Sequence, residues 1–554
     1  MGGKWLALFT KTWVGLFGLL GVSVGAVVLS VAPNEPWLNP GGIPQLLEFL
    51  RAVLHPDLSL SFLGITCAAT LQTLAFAICG TVLSLGLGFG LGVVASEVWW
   101  GAIAPSWSGW ISRGIRSVLT VPRSLHEALW GVLCVELFGL DPLVAIVAIT
   151  LTFGSIVAKV FSELMDAVPR QGFDALRHGG ARPGAAFVFG ILPVVWADLL
   201  SYGLYRFDCA LRSAAVLGII GAGGLGYQIR LSLQSLRYEQ LWTLLGALFL
   251  LTAMGEVWAT VLMGQKVRVQ RRSRWLVGGV AIATALAFVW VGADYGQLFS
   301  PQPYVRLVNL LASAWPTDWS TLGASWGAAF VVLRDTVVMS VVAIVIAGFG
   351  GIIFAFLGSQ RLGQETQKSE NSTLPSNSRN SRNSLSALIK SFRLIGVRAL
   401  LLVERGVPEP VWALLCLFIL FPGILPGAIA LGIHNMGILG RLMAEVIDNV
   451  DPRPIQALRN TGTHTLAVFL YGVLPQVLPR FLGYLLYRWE VCLRATIVVG
   501  LVGAGGLGRL IAEALSSFHY AGLASALIAL FGLTLAADTL SQILRRSLQG
   551  NNPA

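Results

Sequence analysis

Two polar clusters interrupt long apolar stretches, and their residue types could bind an anion. They run from Leu204 to Arg212 and from Leu486 to Arg494. In each, an acid precedes an arginine by four residues, so both lie on one helix face. Guanidinium donates bidentate hydrogen bonds to tetrahedral oxyanions, and ionisable residues within apolar spans usually line a pathway. An ordinary ion pair that stabilises the helix end is the alternative. The candidates are Tyr205, Arg206, Asp208, Arg212, Tyr487, Arg488, Glu490 and Arg494.

A second pair of motifs has the same four-residue spacing. Arg123 precedes Glu127, and Arg405 precedes Glu409, near the start of apolar stretches. On a continuous helix each acid would meet its arginine. The sequence therefore predicts either an interfacial ion pair or a candidate inner gate at these four residues.

Two polar loops share one pattern. Residues 168–193 read VPRQGFDALRHGGARPGAAFVFGILP, and residues 450–475 read VDPRPIQALRNTGTHTLAVFLYGVLP. Equivalent residues are 282 positions apart, and an ordinary loop would not keep this spacing twice. We predict a short exposed helix in each loop, fixed by a partner in the water phase. The pattern is carried by Asp174, Ala175, Leu176, Gly180, Leu192, Pro193, Gln456, Ala457, Leu458, Gly462, Leu474 and Pro475.

The composition requires a membrane. The 554 residues are 55% hydrophobic and only 12% charged, whereas about a quarter of an average soluble chain is charged. Only helices can satisfy their own backbone in lipid without a closed barrel, and the alternation of barrel strands is absent. We therefore predict an all-α polytopic membrane protein with about 12 transmembrane helices.

Charge and internal similarity set the predicted organisation. Residues 114–229 align without a gap with residues 396–511, so the chain contains two parallel repeats. The basic segment 266–274 is expected on the cytoplasmic side, which places both termini there. The predicted domains are a first repeat (1–265), a basic cytoplasmic linker (266–274) and a second repeat (275–554). Within the second repeat, residues 358–391 are predicted to be a disordered cytoplasmic insertion.

Glycine-rich motifs invite a nucleotide interpretation that their context does not support. Gly221–Gly226 and Gly503–Gly508 both fit G-x-G-x-x-G. A dinucleotide site would need a preceding strand and an acid about 20 residues later, but the second copy has Ala- and Leu-rich sequence there. We interpret both motifs as tight connections between two membrane spans, at the outer membrane surface.

Other chemistries are excluded by residue type. None of the six lysines lies in a P-loop, and no metalloprotease, serine-hydrolase or spaced Cys/His motif occurs. The scattered histidines are interpreted as surface or packing residues and the six cysteines as small core residues. We therefore expect no catalytic residue, metal or cofactor on this chain. The net charge of +11 lies in short loops, which indicates membrane topology and no nucleic-acid partner.

The polar loops resemble the coupling loop of permeases of ATP-binding-cassette (ABC) importers, which reads E-A-A-x-x-x-G-x(9)-I-x-L-P. Asp174 and Gln456 replace the leading glutamate, and Gly190 and Gly472 stand at the isoleucine position. The resemblance implies two fused MetI-like permease repeats in a bacterial inner membrane. It also implies two cytoplasmic ABC ATPase subunits that bind ATP and Mg, and a periplasmic or lipid-anchored solute-binding protein.

Within that family, the chain resembles phosphonate- and phosphite-type permeases. The likeness rests on L-Y-R-[FW]-[DE]-x-x-x-R followed by V-x-G-x-x-G-A-G-G-L-G. It implies ATP-driven alternating access for phosphonate, phosphite or a related oxyanion. Phosphate or an amino acid is the alternative substrate, since methionine permeases share a similar glycine motif. An ion-coupled secondary transporter is the alternative of another class, and the duplicated loop argues against it.

Overall fold

The computed structural model describes residue 25 and residues 38–103, 106–264, 266–314, 319–359 and 379–549. The apolar residues 5–31, which the sequence predicts to be the first membrane span, lie outside the described residues apart from Gly25, as do residues 360–378 of the predicted insertion. The described chain is helical, as the sequence predicts, with one isolated β-bridge between Leu38 and Leu420.

Residues 47–315 form one compact unit, called here the first unit. Its helix α1 begins a few residues earlier. The helices are α1 (Gly42–Ala52), α2 (Leu60–Ala95), α3 (Glu97–Ile103), α4 (Ser108–Val118), α5 (Thr120–Ser124), α6 (Glu127–Phe138), α7 (Leu143–Asp166), α8 (Gln171–His178), α9 (Pro183–Ala186), α10 (Leu192–Leu217), α11 (Gly224–Gln234), α12 (Tyr238–Gly264), α13 (Lys266–Trp290) and α14 (Pro301–Ala314). Segments of π-helix precede and follow α10, at Phe187–Ile191 and Gly218–Ala222, and a 3₁₀ turn spans Tyr295–Phe299.

The described residues within 1–46 and 316–554 form the second unit. Its helices are α15 (Trp319–Gly358), α16 (Arg379–Gly406), α17 (Glu409–Ile419), α18 (Ile424–Asp448), α19 (Pro452–Asn460), α20 (Thr465–Val468), α21 (Leu474–Leu501), α22 (Gly506–Ser516) and α23 (Tyr520–Gln549). A π-helical segment at Phe469–Val473 precedes α21. It lies 282 residues after the π-segment that precedes α10, so the repeat extends to this irregularity.

Six helical segments are long and apolar enough to cross a membrane within the described part of the chain. They are Leu60–Ala95, Leu143–Asp166, Pro183–Ala222, Phe330–Gly358, Phe469–Leu501 and Tyr520–Arg545. Helices α6 and α17 are apolar but have only 12 and 11 residues, so each rises about 17–18 Å. A bilayer core is about 30 Å thick, so neither helix crosses it alone.

The core of each unit is built on close contact between long apolar helices. In the first unit α2 packs along α7, and in the second α15 packs along α18. Small residues at these contacts, such as Gly80 against Ile149 and Gly432 against Ile346, let the backbones approach closely. This packing is typical of membrane helices, where van der Waals contact replaces the hydrophobic effect.

The compact units do not follow the boundaries of the sequence repeats. Residues 38–46 belong to the second unit, where the Asn39 amide donates a hydrogen bond to the Ile419 carbonyl at 2.7 Å. Residues 275–315 belong to the first unit, where Arg306 donates to the Leu137 carbonyl at 3.0 Å. The predicted linker 266–274 is the helical start of α13.

Candidate functional site

The two predicted coupling loops each contain a short helix with one buried residue and an exposed ridge. In α8, Phe173 is 6% exposed, whereas Asp174, Ala175 and Leu176 face solvent. In α19, Ile455 is 2% exposed and occupies the position equivalent to Phe173. The residues that follow it, Gln456 and Ala457, are exposed, and Leu458 is half-buried. Each helix is therefore anchored by one apolar side chain, which leaves the predicted docking residues accessible.

Glycine ends both helices in a backbone conformation that other residues rarely adopt. Gly180 has φ +86° and Gly462 has φ +78°. After α8, the Ala181 amide donates to the Leu176 carbonyl at 3.0 Å, as in a Schellman cap. The glycine of the motif thus sets where the exposed helix stops and the chain turns back.

The glycines at the isoleucine position of the family motif differ in their surroundings. A Cβ at Gly190 would lie 2.9 Å from the Phe173 Cα, so α8 rests directly on the π-segment before α10. A Cβ at Gly472 would instead meet the end of the Leu458 side chain at 2.8 Å. In the first unit the close backbone contact therefore requires glycine, whereas in the second a side chain could move aside.

The short helices α8 and α19, called here the predicted coupling helices, each contact the π-segment that precedes the helix with the predicted pathway residues. The Leu-Pro pairs 192–193 and 474–475 are the first residues of α10 and α21, where proline is compatible with a helix start. A displacement of α8 or α19 can therefore reach α10 or α21 through the π-segment between them.

In the first unit the two pathway arginines have different partners. Arg212 pairs with Asp208 at 2.6 Å, as the four-residue spacing predicts. Arg206 donates from Nε and Nη2 to the Tyr202 hydroxyl at 2.9 and 2.7 Å. Its guanidinium also lies 5.1 Å from the ring of Phe153 and 5.6 Å from that of Tyr205. Within the described residues, no carboxylate forms an ion pair with Arg206.

In the second unit the two equivalent arginines also contact different residues. Arg494 pairs with Glu490 at 2.7 Å, and Arg545 approaches the same carboxylate at 3.8 Å. Arg488 donates from Nε and Nη2 to Asn435 Oδ1 at 2.9 and 2.6 Å. The Tyr487 side chain is about half exposed beside it.

The predicted helical pairing of Arg123 with Glu127 is wrong. Leu125 and His126 have extended backbone, which ends α5 and starts α6, so the two side chains do not share a helix face. Glu127 instead accepts a hydrogen bond from the Ser213 hydroxyl on α10, and His126 lies 3.5 Å from it.

A similar break separates α16 from α17, at Pro408, so Arg405 and Glu409 do not lie on one continuous helix either. Glu409 lies 3.1 Å from Nε2 of the buried His434. The Nδ1 of this ring is 3.1 Å from the Val407 carbonyl. Because both ring nitrogens face oxygen atoms, the contact requires a proton on Nε2 or on the carboxyl group. The gate role of these residues stays a prediction.

Each glycine-rich motif connects a candidate span to a short helix of 11 residues, α11 or α22, that precedes the next long helix. No strand precedes either motif in the described chain, which excludes the dinucleotide fold there. A Cβ at Gly226 would lie 1.9 Å from the Ala215 carbonyl oxygen, and one at Gly508 would lie 2.3 Å from that of Ile497. Glycine therefore lets α11 and α22 fold back tightly onto α10 and α21.

Sequence reasoning missed several residues of these clusters. Ser213, Asn435 and His434 contact their partners across 86, 53 and 25 residues of chain, so local spacing gives no signal for them. The anchors Phe173 and Ile455 could have been found, because they are apolar residues in polar loops at equivalent repeat positions. Among the described residues, no group of three His, Cys, Asp or Glu side chains could hold a metal ion.

Comparison with known proteins identifies both repeats. The model of the family described as "Binding-protein-dependent transport system inner membrane component" matches residues 97–275 and 385–550. The phosphate-import permease protein PhnE of Mycolicibacterium smegmatis is 26% identical over 443 residues, which cover 78% of this chain and 77% of that protein.

Two shorter relatives match parts of the chain. The phosphite transport system permease protein PtxC of Stutzerimonas stutzeri is 38% identical over 149 residues, or 27% of this chain and 54% of that protein. A putative cryptic phosphonate transport system permease protein, PhnE2, of Escherichia coli is 40% identical over 118 residues, or 21% of this chain and 97% of that protein. No solved structure matches.

Members of the matched family are multi-pass permease subunits of ABC importers, not enzymes, and they act with ATPase subunits and a solute-binding protein. The match covers more than half of the residues and occurs once in each repeat. The chain therefore belongs to the family of inner-membrane components of binding-protein-dependent transport systems, and it carries the permease domain of that family twice.

Proposed function

We propose that this chain forms the translocation pathway for a phosphorus oxyanion, namely phosphate, phosphonate or phosphite, in ATP-driven alternating access. The names of the relatives support this substrate class. The observation that carries it is Arg206, an arginine within a candidate span whose described partners are a hydroxyl and aromatic rings.

A guanidinium inside a candidate span, with no ion-pair partner among the described residues, favours an anionic ligand. Charged groups inside membranes cost several kcal/mol and usually mark ion or substrate pathways. The described hydrogen bonds of Arg206 use Nε and Nη2, which leaves Nη1 to donate to an incoming oxyanion. Arg488, at the equivalent position, is oriented by Asn435 and would serve the same ligand. Arg212 and Arg494 would stabilise α10 and α21 through their ion pairs with Asp208 and Glu490. Tyr205 and Tyr487 would be exposed beside the pathway.

The exposed ridges of α8 and α19 would each dock a cytoplasmic ABC ATPase subunit, which would bind ATP and Mg. The two contacts would differ in charge because Asp174 is replaced by Gln456. A periplasmic or lipid-anchored solute-binding protein would deliver the anion. Both termini would lie in the cytoplasm. Glu127 and Glu409 would form an inner gate that changes partners as α8 and α19 move.

Uptake by the reconstituted complex tests the proposal. Arg206→Gln should lower ATP-driven uptake of phosphate, phosphite or methylphosphonate at least tenfold, because charge-assisted hydrogen bonds are worth about 1.5–3 kcal/mol. The control is Asp208→Asn with Arg212→Gln, which removes a neutralised pair from the same helix and should retain most uptake. Unchanged uptake in Arg206→Gln, or uptake driven by an ion gradient without any ATPase, would refute the proposal.

A further inference from the structure

Helices α4 and α16 present an apolar stripe that nothing covers in the described chain. Trp110 on α4 and Phe392 on α16 are 282 residues apart and are 71% and 73% exposed. Two further equivalent pairs continue the stripe about two to three turns later, and Val121 of the second pair lies on α5, which follows α4. They are Val118 with Leu400 and Val121 with Val403, all exposed. An exposed apolar stripe at one register in both repeats is unlike scattered surface hydrophobics.

The opposite face of each helix is fixed to the membrane-spanning bundle of its own unit. On α4, the Ser112 hydroxyl donates to the Ala95 carbonyl at the end of α2, and Arg116 pairs with Asp166 at the end of α7. On α16, Leu401 is buried and lies against Gly440 of α18, and Val397 lies against Gly358 at the end of α15. The helices therefore lie beside the ends of spanning helices, with their apolar stripe directed away from the protein.

Both helices are strongly basic. Residues 108–124 contain three arginines and no acid. Helix α16 contains six basic residues and one acid, Glu404, which is buried. The Arg113 guanidinium lies 4.8 Å from the Trp110 ring, and on α16 the exposed Arg393 follows Phe392 directly. A cation therefore accompanies the exposed aromatic residue in each repeat.

We propose that the stripes of α4 and α16 lie in the headgroup layer and bind anionic phospholipids. Helices with an apolar face and basic flanks bind in the plane of the interface, and aromatic side chains favour this layer. The apolar residues enter the acyl boundary, while Arg113 and Arg393 contact headgroup phosphates. Charge complementarity selects an anionic lipid over a zwitterionic one. A docked protein could also cover an apolar stripe, but each helix contacts the end of a candidate membrane span, at Ala95 and at Gly358, so a bilayer would adjoin both.

Retention of phosphatidylglycerol by the full-length chain, measured by native mass spectrometry, tests the charge contacts. Arg113→Gln with Arg393→Gln should reduce retention about fivefold per arginine, since each basic residue near an anionic surface contributes about 1 kcal/mol. Arg453→Gln, an exposed arginine on α19, is the matched control and should leave retention unchanged. Millimolar inorganic phosphate should not displace the lipid.

Spin labels at Trp110→Cys and Phe392→Cys test the depth in nanodiscs of phosphatidylcholine and phosphatidylglycerol. They should be accessible to oxygen and shielded from a water-soluble nickel chelate, unlike a label at Asp174→Cys. Labelling of the chain without an added cysteine gives the background. The proposal fails if labels 110 and 392 match label 174. It also fails if the arginine variants keep the lipid but lose the co-purified ATPase, since the stripe would then be a protein-docking surface.

Discussion

Replacement of Gly190 by alanine should loosen α8 while leaving α19 unchanged. The added Cβ would lie 2.9 Å from the Phe173 Cα and 3.1 Å from its backbone nitrogen. Carbon atoms in contact are normally about 3.5–4.0 Å apart, so the backbone of α8 must move by roughly 0.6–1 Å. Overpacking of this kind typically costs about 1–3 kcal/mol. The population in which α8 contacts the π-segment should therefore fall about 5- to 150-fold relative to the population in which α8 has moved away from it.

The repeat supplies the matched control. Gly472→Ala places its Cβ 2.8 Å from Leu458 Cδ1, the end of a flexible side chain that can change rotamer. Amide hydrogen exchange of residues 171–178 in the purified complex should accelerate in Gly190→Ala, whereas that of residues 452–460 should change little in Gly472→Ala.

A structural loosening of α8 should also reduce transport. ATP hydrolysis and uptake, measured on the same reconstituted samples, should become less tightly coupled in Gly190→Ala than in Gly472→Ala. Equal exchange and equal coupling in the two variants would refute the contact between α8 and the π-segment as the route of transmission.

Two further outcomes follow from the structure. Gly180→Ala and Gly462→Ala should each weaken recovery of the ATPase with the chain, because a left-handed conformation costs a residue with Cβ about 1–2 kcal/mol. Asparagine at the same positions should restore part of the recovery. Alanine variants that recover the ATPase fully would contradict the role of these glycines in ending α8 and α19. Burial raises the pKa of the Glu404 carboxyl, which lies outside the candidate spans, to about 7 from its ordinary value of 4.5. The folded state then binds the carboxyl proton more tightly than the unfolded state does. The stabilisation that comes from protonated Glu404 is therefore fully present below about pH 4.5 and is lost as the pH rises through about 7. Glu404→Gln should remove that fall in thermal melts at pH 5 and pH 8, and an unchanged difference between the two melts would exclude it.

The sequence predicted those parts of the molecule that depend on local spacing or on the repeat. The ion pairs Asp208–Arg212 and Glu490–Arg494 form because α10 and α21 are continuous helices at these residues. The coupling helices were predicted because two copies keep one pattern. The first signal lies within a short stretch of chain, and the second comes from comparing two stretches that are 282 residues apart.

Long-range contacts and helix breaks were not predictable in this way. The pairing of Arg123 with Glu127 was expected from spacing, but extended backbone at Leu125 separates the two helices. The contacts of Arg488 with Asn435 and of Glu127 with Ser213 join different helices. Tertiary packing decides which polar groups meet, and it also decides that Arg206 and Arg212, six residues apart, have partners of different charge.

Residues 38–46 of the first repeat belong to the second unit, and residues 275–314 of the second repeat belong to the first unit. A cut at residues 266–274 therefore does not divide the chain into two halves that each contain a complete unit. A fragment ending there would lack α13 and α14, which pack in the first unit, and would expose the surfaces that they cover on α2 and α6. The other fragment would lack residues 38–46 and the hydrogen bond to Ile419. Synthesis as a single polypeptide delivers each covering segment together with the unit that needs it, in a fixed one-to-one ratio.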